Sequence, residues 1–376
     1  MDFSSYYSQK LNNAFYFVKG RVTLYAILKS LGVKKGDEVI IQAFTCLAVP
    51  NPIIWLGAKP IFVDIDPKTF NIDPFKIEEK ITPKTKAIIV QHTYGVPAEM
   101  DKITEIAKKH NLYVIEDSCH AIGSKYKEKM TGFMGDAAFF SFGWGKPITA
   151  GIGGCAVINN LEIRKEMEKI YEQFKEPSLK ESIWLKIQYL FYSLFLTPSL
   201  FWSIRSVYRF LSKMKIIGGT FLEEEIEHRM PIGFMKKMPK GLKKIVIKEL
   251  EEIDSLIGHR KWVVSNYERK LSEIGIRTQG VPEYIKPVYL RYPLLVKDKN
   301  RILEEAKKKK IEIGDWYSTV VHPLKEKKLE SIGYKMGMCP IAEEVAQRLV
   351  HLPTYKKVDE RYILRVIEFL KEKTYS

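Results

Sequence analysis

Over the first 160 residues, short apolar runs alternate with stretches in which apolar positions recur every three or four residues. Runs of four to six predict buried strands, and the longer period predicts helices packed on them. On this reading Val22–Leu31 is a helix closed by Gly32. Residues 38–42 (EVIIQ), 60–64 (PIFVD), 87–91 (AIIVQ), 112–116 (LYVIE), 137–142 and 154–158 are strands. Between them, residues 47–56, 74–80 and 99–110 read as helices, the second capped by Asp73.

Alternation of this kind predicts an α/β protein with a large, doubly wound, mostly parallel sheet covered on both faces. Ligands of such sheets sit outside the carboxyl ends of the strands. The residues that fall there are Phe44 and Thr45, His92 to Gly95, Asp117 to His120, and Ser141 to Lys146. Farther on, residues 241–271 read as one long amphipathic helix, followed by strand, helix, strand and a final helix. That predicts a large domain over residues 1–240 and a smaller α+β domain over 241–376.

One segment departs from the pattern. Residues 183–211 (IWLKIQYLFYSLFLTPSLFWSIRSVYRFL) are strongly apolar and aromatic, but Lys186, Pro198, Arg205 and Arg209 spoil a membrane span. A pair of helices broken at Pro198 is expected, forming an insert over about 183–214. Two uses fit it: packing on a partner subunit, or lying in a membrane interface as a peripheral contact.

Composition narrows the class. Of 376 residues, 45% are hydrophobic and 28% charged, which supports a sizeable core and argues against disorder. Lysine and arginine number 61 against 45 acidic residues, a net charge of +16 suited to an anionic partner. The basic residues are spread along the chain with no patch of interleaved aromatics, so nucleic acid is not the expected partner. Cys46, Cys119, Cys155 and Cys339 form no CxxC pair, which leaves zinc and dithiol chemistry without support; no metal is expected. Scattered cysteines and an N-terminus without a basic-then-apolar pattern predict a cytoplasmic protein.

The chemistry gathers at the strand ends. Asp117 follows an apolar strand, so its carboxylate would enter the crevice and require a partner. A protonated pyridine nitrogen is one such partner; a helix cap or a metal would be the commoner reading of an isolated Asp. Lys146 lies in SFGWGKPITAGIGG, where glycines permit tight turns and close approach. Alone it would be a surface lysine in a glycine loop. Sequestered beside cationic neighbours, it becomes an imine-forming amine. Ser141, five residues earlier, has a hydroxyl to offer a phosphate.

These motifs together carry a resemblance. EDSCHAIGSKY followed by GDAAFFSFGWGKPITAGIGG, with GVKKGDEVIIQAFTCLAVPNPIIWLGAKPIFVDIDPKTFNID and ITPKTKAIIVQHTYGVPAEMDKI upstream, resembles the DegT/DnrJ/EryC1/StrS sugar aminotransferases. The likeness is dense from about Gly20 to Asn160 and returns weakly at CPIAEEVAQRLVHLPTYKKVDERYILRVIEFL. It implies a pyridoxal 5'-phosphate (PLP) enzyme of fold type I, like aspartate aminotransferase, working as a homodimer. Glutamate would be the amino donor and a nucleotide-linked keto-sugar the acceptor, for cell-surface polysaccharide or glycan synthesis. By position, Lys146 corresponds to the Schiff-base lysine and Asp117 to the partner of the pyridine nitrogen. His120 corresponds to the residue beside the ring hydroxyl, and Ser141 to a phosphate ligand. The implied cofactor contacts also include Gly20, Arg21, Val22, Thr45, Cys46 and His92, although His92 reads equally well as a satisfied core histidine.

The chain departs from the family pattern in three places. The usual Ser-Gly-Thr start of the first helix is Lys19-Gly20-Arg21-Val22-Thr23, where Arg21 could replace the lost hydroxyl. Thr45 is followed by Cys46 in place of an aromatic, which leaves Phe44 or Tyr94 to stack on the cofactor ring. The Gly-Tyr-Asn-Tyr-Arg stretch that reaches the neighbouring subunit becomes Gly233-Phe234-Met235-Lys236-Lys237. Two alternatives follow. A PLP-dependent sugar dehydratase on this fold is opposed by Lys146, since that branch carries histidine there. A PLP-binding regulatory protein without turnover is the other.

Overall fold

The computed structural model describes residues 3–195, 200, 202–204, 206–207, 210, 221–276 and 280–374. A seven-stranded sheet runs in the order β1-β10-β9-β6-β5-β2-β4. Its strands are β1 (Phe15–Phe17), β2 (Glu38–Gln42), β4 (Lys59–Val63), β5 (Thr85–Gln91), β6 (Tyr113–Asp117), β9 (Ala137–Ser141) and β10 (Gly154–Ile158). The five from β9 to β4 are parallel neighbours, and β10 pairs antiparallel with both β9 and β1. A two-residue strand β3 (Thr45–Cys46) leaves this sheet and pairs in parallel with β13 (Val321–His322). Small ladders join β7 (Lys125–Tyr126) to β8 (Lys129–Met130) and β11 (Ile285–Lys286), and β12 (Arg291–Leu295) to β14 (Leu349–Pro353).

The two-residue period of the strands divides the core. Val39, Ile41, Ala87, Ile89, Ala137 and Phe139 face one layer, which includes α2 (Gly20–Ser30) and α5 (Leu161–Glu172). Ile40, Ile88, Val90 and Val114 face the other, with α4 (Met100–Lys109), β12, β14 and the final helix Glu360–Thr374. Ala138, Phe140, Cys155 and Val157 meet a third cluster around α1 (Phe3–Asn12) and the helix Lys240–Glu251. Strands buried on both faces are what the near-continuous apolar runs dictate.

Several elements differ from expectation. Residues 74–80 form two 3-10 turns, Pro74–Lys76 and Glu78–Lys80, because only Pro74 and Ile77 are buried and no apolar face sustains an α-helix. Asp73 does cap the first turn, accepting the Phe75 N–H at 3.0 Å. The helix expected over 47–56 is shortened to α3 (Pro50–Trp55), with proline in its first turn. The long helix expected over 241–271 is two, Lys240–Glu251 and Ile253–Glu273, meeting at Glu252. Of the apolar insert, α6 (Leu179–Phe195) is a 17-residue helix. Pro198, Arg205, Arg209 and 211–214 lie outside the described residues, so the expected break at Pro198 does too. Among the described residues no helix is long and apolar enough to cross a membrane.

Candidate active site

Asp117 ends β6 and Ser141 ends β9, so parallel pairing of these strands brings both to the same edge of the sheet. The chain beyond Ser141 then folds back tightly. Phe142 N–H bonds Gly153 O at 2.9 Å, Ala150 N–H bonds Phe142 O at 2.9 Å, and Lys146 N–H bonds Gly143 O at 3.2 Å. Gly145, Gly151 and Gly153 adopt positive φ in this loop, a backbone other residues resist. Lys146 is thereby returned to the sheet edge.

The N-terminus of α2 arrives at the same place. A Cβ added to Gly20 would lie 3.0 Å from Ser141 Cβ and 3.2 Å from its Oγ. One added to Gly154 would lie 2.6 Å from Gly20 Cα. The small residues are therefore a packing requirement: they let a helix N-terminus and a serine hydroxyl share one spot, an arrangement suited to a phosphate.

Electrostatics tie the remaining groups together. Burial raises the Asp117 carboxyl above the usual carboxylate range, and its contacts with Cys119, then the charges of Lys146 and His92, offset this only in part. Asp117 Oδ1 accepts the Cys119 N–H at 3.1 Å, and no cation forms an ion pair with it among the described residues. Burial, followed by the charges of Lys146 and His351, holds the His120 imidazole well below its ordinary range, so it is neutral at pH 7. Its Nδ1 accepts the Tyr94 N–H at 3.3 Å, which assigns the ring proton to Nε2. The Cys46 thiol is raised by burial, an effect offset in part by the Ala48 N–H and then by the charges of Arg21 and Lys146.

Five of the expected contact residues have partners within the protein. His92 is wholly buried, accepts the Ala98 N–H on Nδ1 at 3.1 Å and faces Glu116 Oε2 with Nε2 at 3.0 Å. Both nitrogens are used inside the protein, which fits the reading of a satisfied core histidine. Arg21 forms an ion pair with the fully buried Glu225, and its guanidinium lies 4.6 Å from the Phe221 ring. Thr45 gives its hydroxyl hydrogen to Gln91 Oε1 at 2.7 Å. Phe44 is buried among Phe70, Tyr94 and Tyr317. Val22 is buried in the core layer beneath the helix start.

A buried carboxyl with no ion-pair partner among the described residues, an amine on a glycine loop and a hydroxyl at a helix N-terminus match the nitrogen, aldehyde and phosphate of PLP. A family model, the DegT/DnrJ/EryC1/StrS aminotransferase family, matches residues 3–371. The chain belongs to this family. It is 30% identical to the GDP-perosamine synthase of Escherichia coli O157:H7, over 94% of this chain and 83% of that one. It is also 40% identical, over 138 residues, to the dTDP-4-dehydro-2,6-dideoxy-D-glucose 3-dehydratase of Saccharopolyspora spinosa, a match covering 37% of this chain and 30% of that protein. The PLP form of the putative sugar aminotransferase Spr1654 from Streptococcus pneumoniae superposes with a TM-score of 0.75 at 24% identity, over 99% of this chain and 90% of that one. The fold is that of the type I PLP-dependent transferases.

In this member of the family the site has a cover that the sequence reading missed. The Trp316 ring lies 4.7 Å from Lys146 Nζ and 5.1 Å from the His120 ring. Tyr94 donates its hydroxyl hydrogen to the Trp316 carbonyl. Tyr317, also buried, stacks at 6.3 Å on His120. Nothing in the local pattern GDWYST marks these residues, because their role rests on contacts with groups some 170 to 222 positions away in sequence. Glu225, which engages Arg21 across 204 positions, lies in the acid-rich run LEEEIEH and was equally unmarked.

Proposed function

We propose that the protein moves an amino group from an amino acid, with glutamate the expected donor, to a nucleotide-linked keto-sugar. One observation carries the reading: the charge of Lys146 acts on the buried Asp117 carboxyl at the carboxyl edge of a parallel sheet. The 30% identity to a GDP-perosamine synthase over nearly the whole chain supports a nucleotide-linked acceptor.

Bound PLP would supply an electron sink for the pair released when a substrate carbon loses its proton. The residues here would do the rest. Asp117 would accept a hydrogen bond from the pyridine nitrogen and keep it protonated, and that cation would in turn favour the ionised carboxylate. His120 would offer its Nε2 hydrogen to the ring oxygen. Ser141 and the α2 N-terminus would receive the phosphate, with Gly20 allowing the approach. Lys146 would hold the cofactor, then use its freed Nζ to take a proton from one carbon and return it to the next. Trp316 would exclude water from the amine. The working unit proposed is a cytoplasmic homodimer, with residues 1–240 forming the large domain and 241–376 the small one that supplies Trp316.

The local match to a sugar dehydratase favours a second reading, loss of a hydroxyl group with no nitrogen gained. Lys146 opposes it, because an amine at this position holds the cofactor covalently. The test is direct. Protein loaded with PLP should be yellow, should bleach with glutamate, and should retain a label at Lys146 after borohydride. Nucleotide-linked keto-sugars offered with glutamate should yield an amino sugar by mass. A label that persists in Lys146→Ala, or a product that has lost oxygen without gaining nitrogen, would overturn the reading.

A further inference from the structure

Helix α6 turns an apolar stripe outward. Leu179, Ile183, Ile187 and Leu190 follow at spacings of four, four and three, which places them on one face. Leu179 is 76% exposed, and Ile183, Trp184, Ile187 and Leu190 are 48–52% exposed. Lys180 and Lys186, both exposed, flank the stripe. The opposite face attaches the helix: Leu185 packs on the cluster that holds Phe142, and Glu181 pairs with Lys236 at 2.7 Å.

Beside α6 lies the helix Lys240–Glu251. Its Leu242, Val246 and Leu250 face the core. Lys240, Lys244 and Lys248, again four apart, are exposed on the opposite face. Glu249 and Glu251 share this helix but leave four lysines against two acids. An apolar strip and a row of ammonium groups thus lie on neighbouring outward faces of one packed helix pair.

Single exposed apolar residues need no explanation, but a contiguous row marks a contact. A second copy of the chain seated here would bring the lysine rows toward each other, and like charges oppose such an interface. An anionic lipid surface satisfies both features. The apolar side chains enter the acyl boundary, Trp184 sits at the headgroup level, and the lysines meet the phosphates. The net charge of +16 adds long-range attraction. Since no described helix can cross a bilayer, the contact is peripheral.

We propose that the outward face of α6, with the adjoining lysine row, docks the enzyme on an anionic phospholipid surface. The surface is joined to the candidate site: the Tyr189 ring of α6 stacks at 6.4 Å and 9° on Trp144, two residues before Lys146. Docking would therefore hold the Lys146 loop close to the lipid boundary.

The experiment is co-sedimentation of the full-length, PLP-loaded protein with phosphatidylglycerol-containing vesicles, and with phosphatidylcholine alone. The wild type should pellet with the anionic vesicles at ~0.1 M salt and be released at ~0.5 M. It should stay in solution with the neutral ones. Ile183→Glu/Ile187→Glu and Lys244→Glu/Lys248→Glu should each weaken binding about 10-fold or more, with cofactor absorbance unchanged as the check on folding. Failure of the wild type to bind anionic vesicles, or equal binding by the variants, overturns the proposal. So does a halved solution mass for Ile183→Glu/Ile187→Glu, which would make this face a contact between copies. None of these readouts requires turnover, so they stand or fall apart from the aminotransferase reading.

Discussion

Lys146 Nζ and the indole of Trp316 lie 4.7 Å apart, although 170 positions separate them in the chain. The amine comes from a glycine loop after β9, and the ring from a loop between the helix Lys299–Lys308 and β13. Their contact gives a partly buried cation an aromatic face in place of water, a contact worth roughly 0.5–2 kcal/mol. Cofactor uptake must give that contact up. Trp316→Leu should therefore take up PLP faster than the wild type, by up to ~10-fold, as followed by the absorbance change in stopped flow. An unchanged rate would show that the ring does not guard the amine.

Gly20 tests the phosphate cradle. The alanine methyl in Gly20→Ala would press on Ser141 Cβ at 3.0 Å. PLP affinity in equilibrium titration should fall about 10-fold or more, with a stability cost of about 1–3 kcal/mol from overpacking. Gly154→Ala meets backbone at 2.6 Å and should be the more damaging of the two by thermal melting.

The Arg21–Glu225 ion pair joins α2 to the acidic segment Glu223–Ile226. Its carboxylate is wholly buried, so removing Arg21 leaves that charge without its ion-pair partner, facing the Leu222 N–H and the charge of Lys19. Arg21→Met alone should cost about 3–5 kcal/mol in urea unfolding. Arg21→Met combined with Glu225→Leu should recover much of that loss. Additive costs in the double variant would show that the two side chains are not coupled.

His120 gives a pH dependence of definite sign. Burial, with help from Lys146 and His351, holds its folded pKa well below 6.5, so the unfolded chain binds a proton that the folded chain refuses. The stabilising contribution is full above the unfolded value and is lost as pH falls below about 6.5. Urea midpoints of the cofactor-free protein should drop between pH ~7 and ~5, and His120→Asn should flatten that slope. His228 and His259, also lowered first by burial, add to this slope, while the Asp117 and Glu312 carboxyls, raised first by burial, oppose it. A slope unaltered by the substitution would exclude His120 as its source.

The sequence by itself determined the sheet and the placement of the chemistry at its carboxyl edge. EVIIQ became β2 and GCAVI became β10 as read, because a strand buried on both faces must be apolar throughout, and that composition is visible in one dimension. Asp117 and Ser141 were legible as strand ends, whereas Lys146 stood out only through the motifs that carry the family resemblance, since alone it reads as a surface lysine in a glycine loop. Tertiary structure alone decided the rest. His92 went to Glu116, Arg21 to Glu225, and Trp316 to the cover of Lys146. Each is a choice among competing partners distant in sequence, and the side chain's polarity or shape does not say which partner the folded chain will bring within reach.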